Sequence, residues 1–189
     1  MRVFGIDPGS DRTGFGCVET DGTRHRLVRC GAITAPPHAP FPEKLVGIYR
    51  ELRACLADCR PGIVVIESVF YAANARSALK LGHARGVAML AAAEADLPIV
   101  EYTPAEIKRA IVGYGRAEKP QVQQMIKLLL GLSAVPTPHD AADALAAAIC
   151  HIHARHPGGP LPPATISRAA TSWRRYRPSV QATRAARRP

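Results

Sequence analysis

Four acidic residues stand where carboxylates are costly. Asp7 closes the apolar run Val3-Phe4-Gly5-Ile6, and Glu67 closes Ile63-Val64-Val65-Ile66. Asp140 and Asp143 open the last strongly apolar helix as Asp-Ala-Ala-Asp. Apolar runs of four read as buried strands, and a carboxylate rarely enters a buried setting without a partner. In open α/β sheets, ligands bind outside the carboxyl ends of the strands, which is where Asp7 and Glu67 fall. Asp140 and Asp143 are three apart and so share one helical face. By itself such a pair is ordinary first-turn decoration favoured by the helix dipole. Together with two strand-end acids it predicts one carboxylate cluster fed by three elements. Carboxylates gathered in one pocket repel unless a cation joins them. A hard divalent ion does this, and Mg²⁺ between carboxylates is a means of phosphoryl transfer.

The pattern along the chain predicts the elements that position these acids. It opens as three strands, about 2–7, 13–20 and 24–34, the first two joined by the turn-rich Asp7-Pro8-Gly9-Ser10-Asp11. Gly14 and Gly16 mark a close backbone approach or a bulge in the second strand. Proline-rich 36–42 leads into an amphipathic helix at 43–59, and Pro61-Gly62 turns the chain into the strand ending at Glu67. A helix at 75–95 and a strand at 98–102 follow. Thr103-Pro104-Ala105-Glu106 is a capping box that starts another helix. Helices at 119–131 and 139–155 complete the series. The expected fold is α/β, one mixed sheet flanked by helices on both faces. Residues 1–156 form the domain; 157–189, rich in Pro, Arg, Ala and Thr, read as a disordered tail.

The 189 residues suffice for one such domain. Net charge is +10, and the tail holds seven arginines without an acid, leaving 18 basic against 15 acidic residues before it. Basic periphery around acidic centre suits a polyanionic substrate; a tail of this composition also occurs without specific purpose. No apolar stretch is long enough to span a membrane. The five cysteines are odd in number and form no Cys-x-x-Cys pair, which with the absent export signal predicts a cytoplasmic protein with reduced thiols. Cys150, His151, His153 and His156 are spaced as an ordinary helix end rather than as a zinc site.

Gly5-Ile6-Asp7-Pro8-Gly9-Ser10 with Thr13-Gly14-Phe15-Gly16 resembles the opening of the RuvC family, the bacterial Holliday junction resolvases. The resemblance continues through Ile66-Glu67-Ser68-Val69-Phe70, Asn74 and Ser77-Ala78-Leu79-Lys80-Leu81-Gly82. It ends with Val112-Gly113, Ala117-Glu118-Lys119 and Asp140-Ala141-Ala142-Asp143-Ala144-Leu145, in order from about 2 to 153. It implies an RNase H-like fold with a five-stranded sheet. It also implies a homodimeric endonuclease that cuts four-way DNA junctions by symmetric paired nicks in recombination and repair. Asp7, Glu67, Asp140 and Asp143 then become the catalytic, metal-binding carboxylates, holding two Mg²⁺ per subunit with Mn²⁺ able to substitute. Phe70, Lys108 and Lys119 become DNA contacts, and branch-migration proteins of the RuvA and RuvB type become partners.

Further residues carry two readings each. Phe70 follows Glu67 closely enough to stack on an unpaired base, its other reading being a ring packed under the loop, and Tyr71 is expected to pack in the core. His139 serves the cluster as ligand or proton carrier, or is a solvent-exposed residue before a helix. Arg76, Lys80, Arg85 and Arg116 are looser DNA candidates. In the tail, Trp173-Arg174-Arg175-Tyr176-Arg177 interleaves aromatics and arginines suited to nucleic acid. Ala78, Gly82, Gly86, Met89 and Ala93 form a small-residue stripe that needs a close neighbour, either the sheet of the same domain or the same helix of a second copy. Other classes with similar turns fit less well. An actin-like ATPase or sugar kinase needs two larger domains and a second phosphate loop. A junction-binding module that does not cut has no use for four carboxylates. A YqgF-type RNase H-like nuclease lacks the Phe70 loop, Lys119 region and Asp-Ala-Ala-Asp pattern together.

Overall fold

The computed structural model describes residues 1–68 and 74–155. Phe70, Tyr71 and the tail 157–189 with its Trp173–Arg177 segment lie outside the described residues. Strand β1 (Arg2–Asp7) pairs antiparallel with β2 (Arg12–Thr20), which pairs antiparallel with β3 (His25–Thr34). On its other side β1 runs parallel to β4 (Ile63–Glu67), and β4 runs parallel to β5 (Ile99–Tyr102). The sheet order is β3-β2-β1-β4-β5. The helices are α1 (Phe41–Cys59), α2 (Ala75–Glu94), α3 (Pro104–Val112), α4 (Lys119–Leu129) and α5 (His139–Ala154). Among the described residues none is long and apolar enough to cross a membrane.

The expected order of elements holds, with small shifts at their ends. α1 begins at Phe41 because Pro42 falls within the first turn, where a missing N–H costs nothing. α3 carries the predicted capping box: Thr103 accepts from the Glu106 backbone N–H while Glu106 accepts from that of Thr103. α4 stops at Leu129, since Gly131 takes a φ of +61° and turns the chain away.

Strand alternation divides the core in two. Phe4, Ile6, Phe15, Cys17, Val64 and Ile66 point toward α1 and α2, with Ile48, Leu52 and Ala88 among their neighbours. Val3, Val18, Val65 and Val100 point the other way, toward α3, α4 and α5. The same parity places Gly5 and Asp7 of β1, Gly14 and Gly16 of β2, and Glu67 of β4 on the α5 face.

That face explains the alanines of α5. A Cβ on Gly5 would sit 1.9 Å from the Ala144 carbonyl oxygen, and one on Gly14 would sit 2.0 Å from that of Asp140. A Cβ on Gly16 would meet the Leu145 side chain at 2.7 Å. Three glycines thus make a trough into which an alanine-rich helix sinks until backbone meets backbone. Gly14 and Gly16 are close-approach glycines, and a bulge also occurs one step on, between Cys17 and Val18.

All five cysteines are free, and Cys150 is buried in α5. His151 is buried against Tyr102, whose hydroxyl lies 2.9 Å from Nδ1, while its Nε2 has no hydrogen-bond partner. Burial pushes the His151 pKa down to about 4. The unfolded chain titrates near 6.5, so below that pH it takes up a proton that the folded state refuses until about pH 4. Stability carried by neutral His151 is therefore complete above about pH 6.5 and is lost as pH falls. Moving from pH 7 to pH 5 is expected to cost ~2 kcal/mol through this group. Urea denaturation of the wild type and His151→Gln at the two pH values checks it: the variant should show a smaller difference.

Candidate active site

Asp7 is the last residue of β1 and Glu67 the last of β4, adjacent parallel strands that end together. The turn after Asp7 is held by Thr13, a buried residue whose hydroxyl donates to the Gly9 carbonyl oxygen at 2.8 Å. Asp7 itself pairs in register with Gly14, the glycine that admits the first turn of α5. One close contact therefore brings Asp140 and Asp143 to the strand ends.

Asp7, Glu67 and Asp143 line a cavity of about 300 Å³ together with Lys108, Lys119 and the apolar Ile107, Val122 and Ala146. Asp140 is not among the lining residues. It nevertheless acts on Asp7, whose pKa is pushed up to about 8 by burial first, then by Glu67, Asp143 and Asp140. Glu67 is raised by burial and by Asp143. Asp7 and Glu67 are thus pushed toward protonation by burial first and by their acidic neighbours second.

Two cations already answer part of that charge. Lys119 Nζ donates to Asp143 Oδ2 at 3.0 Å, a contact that raises the lysine pKa. Arg12 Nη1 lies 3.5 Å from Asp140 Oδ2. Lys108 and Lys119, expected as DNA contacts, stand in the cavity wall beside the acids. Arg12 was not among the expected site residues, and its position at the start of β2, directly after the turn that follows Asp7, was the available signal. His139 opens α5 on the surface, with Nδ1 2.7 Å from Nε2 of the buried Gln123. Of the looser candidates, Arg85 pairs with Glu101 and Lys80 covers the ring of Phe41.

These donors suit a hard cation in kind, being carboxylate oxygens throughout. Among the described residues, no three His, Cys, Asp or Glu side chains form a ready-made cage. Mg²⁺ does not require one. It keeps several waters and is bound through one or two carboxylates with substrate phosphates completing its shell. Asp7 and Glu67 on one wall and Asp143 on another provide that kind of partial ligation.

The family model described as crossover junction endodeoxyribonuclease RuvC matches residues 3–151. The crossover junction endodeoxyribonuclease RuvC of Koribacter versatilis (strain Ellin345) is 54% identical over 154 residues, which cover 81% of this chain and 93% of that one. The solved structure of Thermus thermophilus RuvC superposes with a TM-score of 0.76 at 36% identity, covering 82% of this chain and 96% of that one. T. thermophilus RuvC in complex with a Holliday junction substrate superposes with a TM-score of 0.75 at 34% identity, with the same coverage. The shared architecture is the RNase H-like fold of the junction resolvases.

Proposed function

The chain belongs to the RuvC family of crossover junction endodeoxyribonucleases, and from that premise we propose that it resolves Holliday junctions by metal-dependent hydrolysis, nicking two symmetry-related strands. The observation that carries this reading is the meeting of Asp7, Glu67 and Asp143 with two lysines in one cavity, with Asp140 close behind. Acids that close provide for a cation, and the lysines provide for a phosphate.

Each residue then has a task. Asp7, which feels the charge of all three other acids, would be the central ligand of the metal site, with Glu67 and the Asp140/Asp143 pair holding it from either side. Two Mg²⁺ ions, when bound, would supply an activated water and charge stabilisation for the leaving 3′-oxygen. The sheet end and the first turn of α5 fix the backbone positions from which the carboxylates reach the site. Lys108 and Lys119 draw the phosphodiester toward the acids, which would otherwise repel it. Phe70, just past Glu67 in sequence, acts as a wedge on an unpaired base at the crossover. Mn²⁺ accepts the same oxygen ligands and is expected to substitute.

A two-fold pair of subunits would present two identical sites to two equivalent strands. α2 supplies a face for it. Leu79 and Leu90 are 64% and 52% exposed, and a Cβ at Gly82 or Gly86 would meet nothing within 4 Å. Met89 of that stripe is half-buried against the core. Replacing Leu79 and Leu90 together by glutamate is expected to move the protein from dimer to monomer in sedimentation while leaving its circular dichroism intact.

Residues 1–156 are proposed to hold the whole nuclease, with the arginine-rich 157–189 as an accessory that adds affinity for the DNA backbone. Branch-migration proteins of the RuvA and RuvB type are its expected partners, and the unpaired thiols suit a cytoplasmic setting. Salt titrations of junction binding separate these contributions. Removing Lys108 and Lys119 should flatten the log–log slope by about two units, and removing 157–189 should flatten it further without stopping cleavage. A comparison of four-way junction DNA, linear duplex and structured RNA tests the function itself. Junction DNA alone should be cut efficiently, and preferential cutting of RNA would overturn the reading.

A further inference from the structure

Resting on the nuclease reading above, the geometry points to Arg12 as a positioning residue that holds Asp140 in the free protein and passes to a DNA phosphate in the complex, with Lys119 and Asp143 forming a parallel pair. The two pairs share a design. In each the acid is turned inward and the cation outward: side-chain exposure is 31% for Asp140 against 51% for Arg12, and 19% for Asp143 against 69% for Lys119. The cationic ends can therefore swing to an approaching backbone while the carboxylates stay fixed by α5.

The backbone that carries the acids has little freedom. Asp140 sits where the Gly14 contact locks the helix to the sheet, and Asp143 lies one turn on in the same rigid element. Arg12 is the first residue of β2, directly after the turn that follows Asp7. Its backbone is pinned by pairing with Thr34, leaving its long side chain as the mobile part. A cation bound by this cluster competes with both ion pairs for the same oxygens. A DNA phosphate competes for the same guanidinium and ammonium. Arrival of DNA thus withdraws the internal cations and frees oxygens for metal. Metal and DNA binding become mutually reinforcing, as linkage requires.

The test uses the full 189-residue chain without DNA, titrated with Mn²⁺ and followed by the electron paramagnetic resonance of the free ion. Exposed ion pairs shift such equilibria by about two- to fivefold, so Arg12→Ala should tighten Mn²⁺ binding by about that factor. Lys119→Ala should do likewise. In EDTA, Arg12→Ala should also flatten the salt slope of junction binding by about one unit, and Arg12→Lys should restore both properties in part. Arg12→Gln, with circular dichroism as the check on folding, stands in should the alanine variant not fold. Unchanged or weakened Mn²⁺ affinity, or an unchanged salt slope, overturns the role of Arg12 while leaving the nuclease reading standing if junctions are still cut. Failure of every variant and of the wild type to bind Mn²⁺, with no cutting, takes down the nuclease reading and this inference with it.

Discussion

Asp7→Asn is expected to bind four-way junctions with near-normal affinity and to fail to cut them. Asparagine matches aspartate in shape and preserves the packing around the end of β1, so the fold and the DNA surface survive. What disappears is the central negative charge of the cluster. Metal-ion stabilisation of a developing oxyanion is worth several kcal/mol, and each 1.4 kcal/mol is a factor of ten in rate. The single-turnover cleavage rate should therefore fall by about a thousandfold or more.

A second signature accompanies the loss. Burial and three neighbouring acids hold Asp7 up to about 8, whereas in the unfolded chain it ionises near 3.9. Above that lower value folding is opposed by the cost of keeping Asp7 protonated or forcing it to ionise, and this penalty grows as pH rises toward 8. Removing the charge lifts it. Without metal, Asp7→Asn should melt at a higher temperature than the wild type at neutral pH, the stability–activity exchange of a strained active site. Cleavage near the wild-type rate would contradict the role given to Asp7.

Gly14→Ala is expected to combine a large loss of stability with a large loss of activity. Its Cβ would lie 2.0 Å from the Asp140 carbonyl oxygen and 2.9 Å from the Asp140 Cβ. The obstacle is mainly backbone, so α5 must lift away from the sheet and carry Asp140 and Asp143 with it. Overpacking of this kind costs ~3 kcal/mol, and misplacing catalytic groups by about an ångström costs about a hundredfold in rate. Gly5→Ala, facing the Ala144 carbonyl oxygen at 1.9 Å, should be at least as damaging. Gly16→Ala meets chiefly the Leu145 side chain, at 2.7 Å, with the Leu145 backbone nitrogen 3.1 Å away, and should be milder. Gly47→Ala is the contrasting case. It lies on the exposed side of α1 with nothing within 4 Å, and alanine there should stabilise by ~1 kcal/mol. Chemical denaturation and single-turnover cleavage of the four variants give the order directly.

The carboxylates were legible in the sequence because two independent periodicities pointed at them. Strand parity sends Asp7 and Glu67 to one face, and helical spacing keeps Asp140 beside Asp143. The capping box at Thr103 was equally local and equally readable. The glycine trough was only half visible. Gly14 and Gly16 announced a close approach, but the identity of the approaching helix depends on contacts more than 120 residues distant along the chain. Arg12 and its pairing with Asp140 left no periodic trace, since an ion pair between distant elements obeys no spacing rule. The α2 stripe left open whether its neighbour is the domain's own sheet or a second copy, because burial at Met89 is decided by how α2 seats on α1 and the sheet. Helix phase alone does not reveal that seating.

Anomalous diffraction at the manganese edge, from crystals of the full chain bound to a four-way junction in Mn²⁺, tests the nuclease centre most directly. Two peaks about 3.5–4 Å apart are expected, with Asp7 touching both and Glu67 and the Asp140/Asp143 pair flanking them beside one backbone phosphate. Ions bound away from Asp7 and Glu67, or none at the scissile phosphate in crystals whose DNA is cut, would contradict the account.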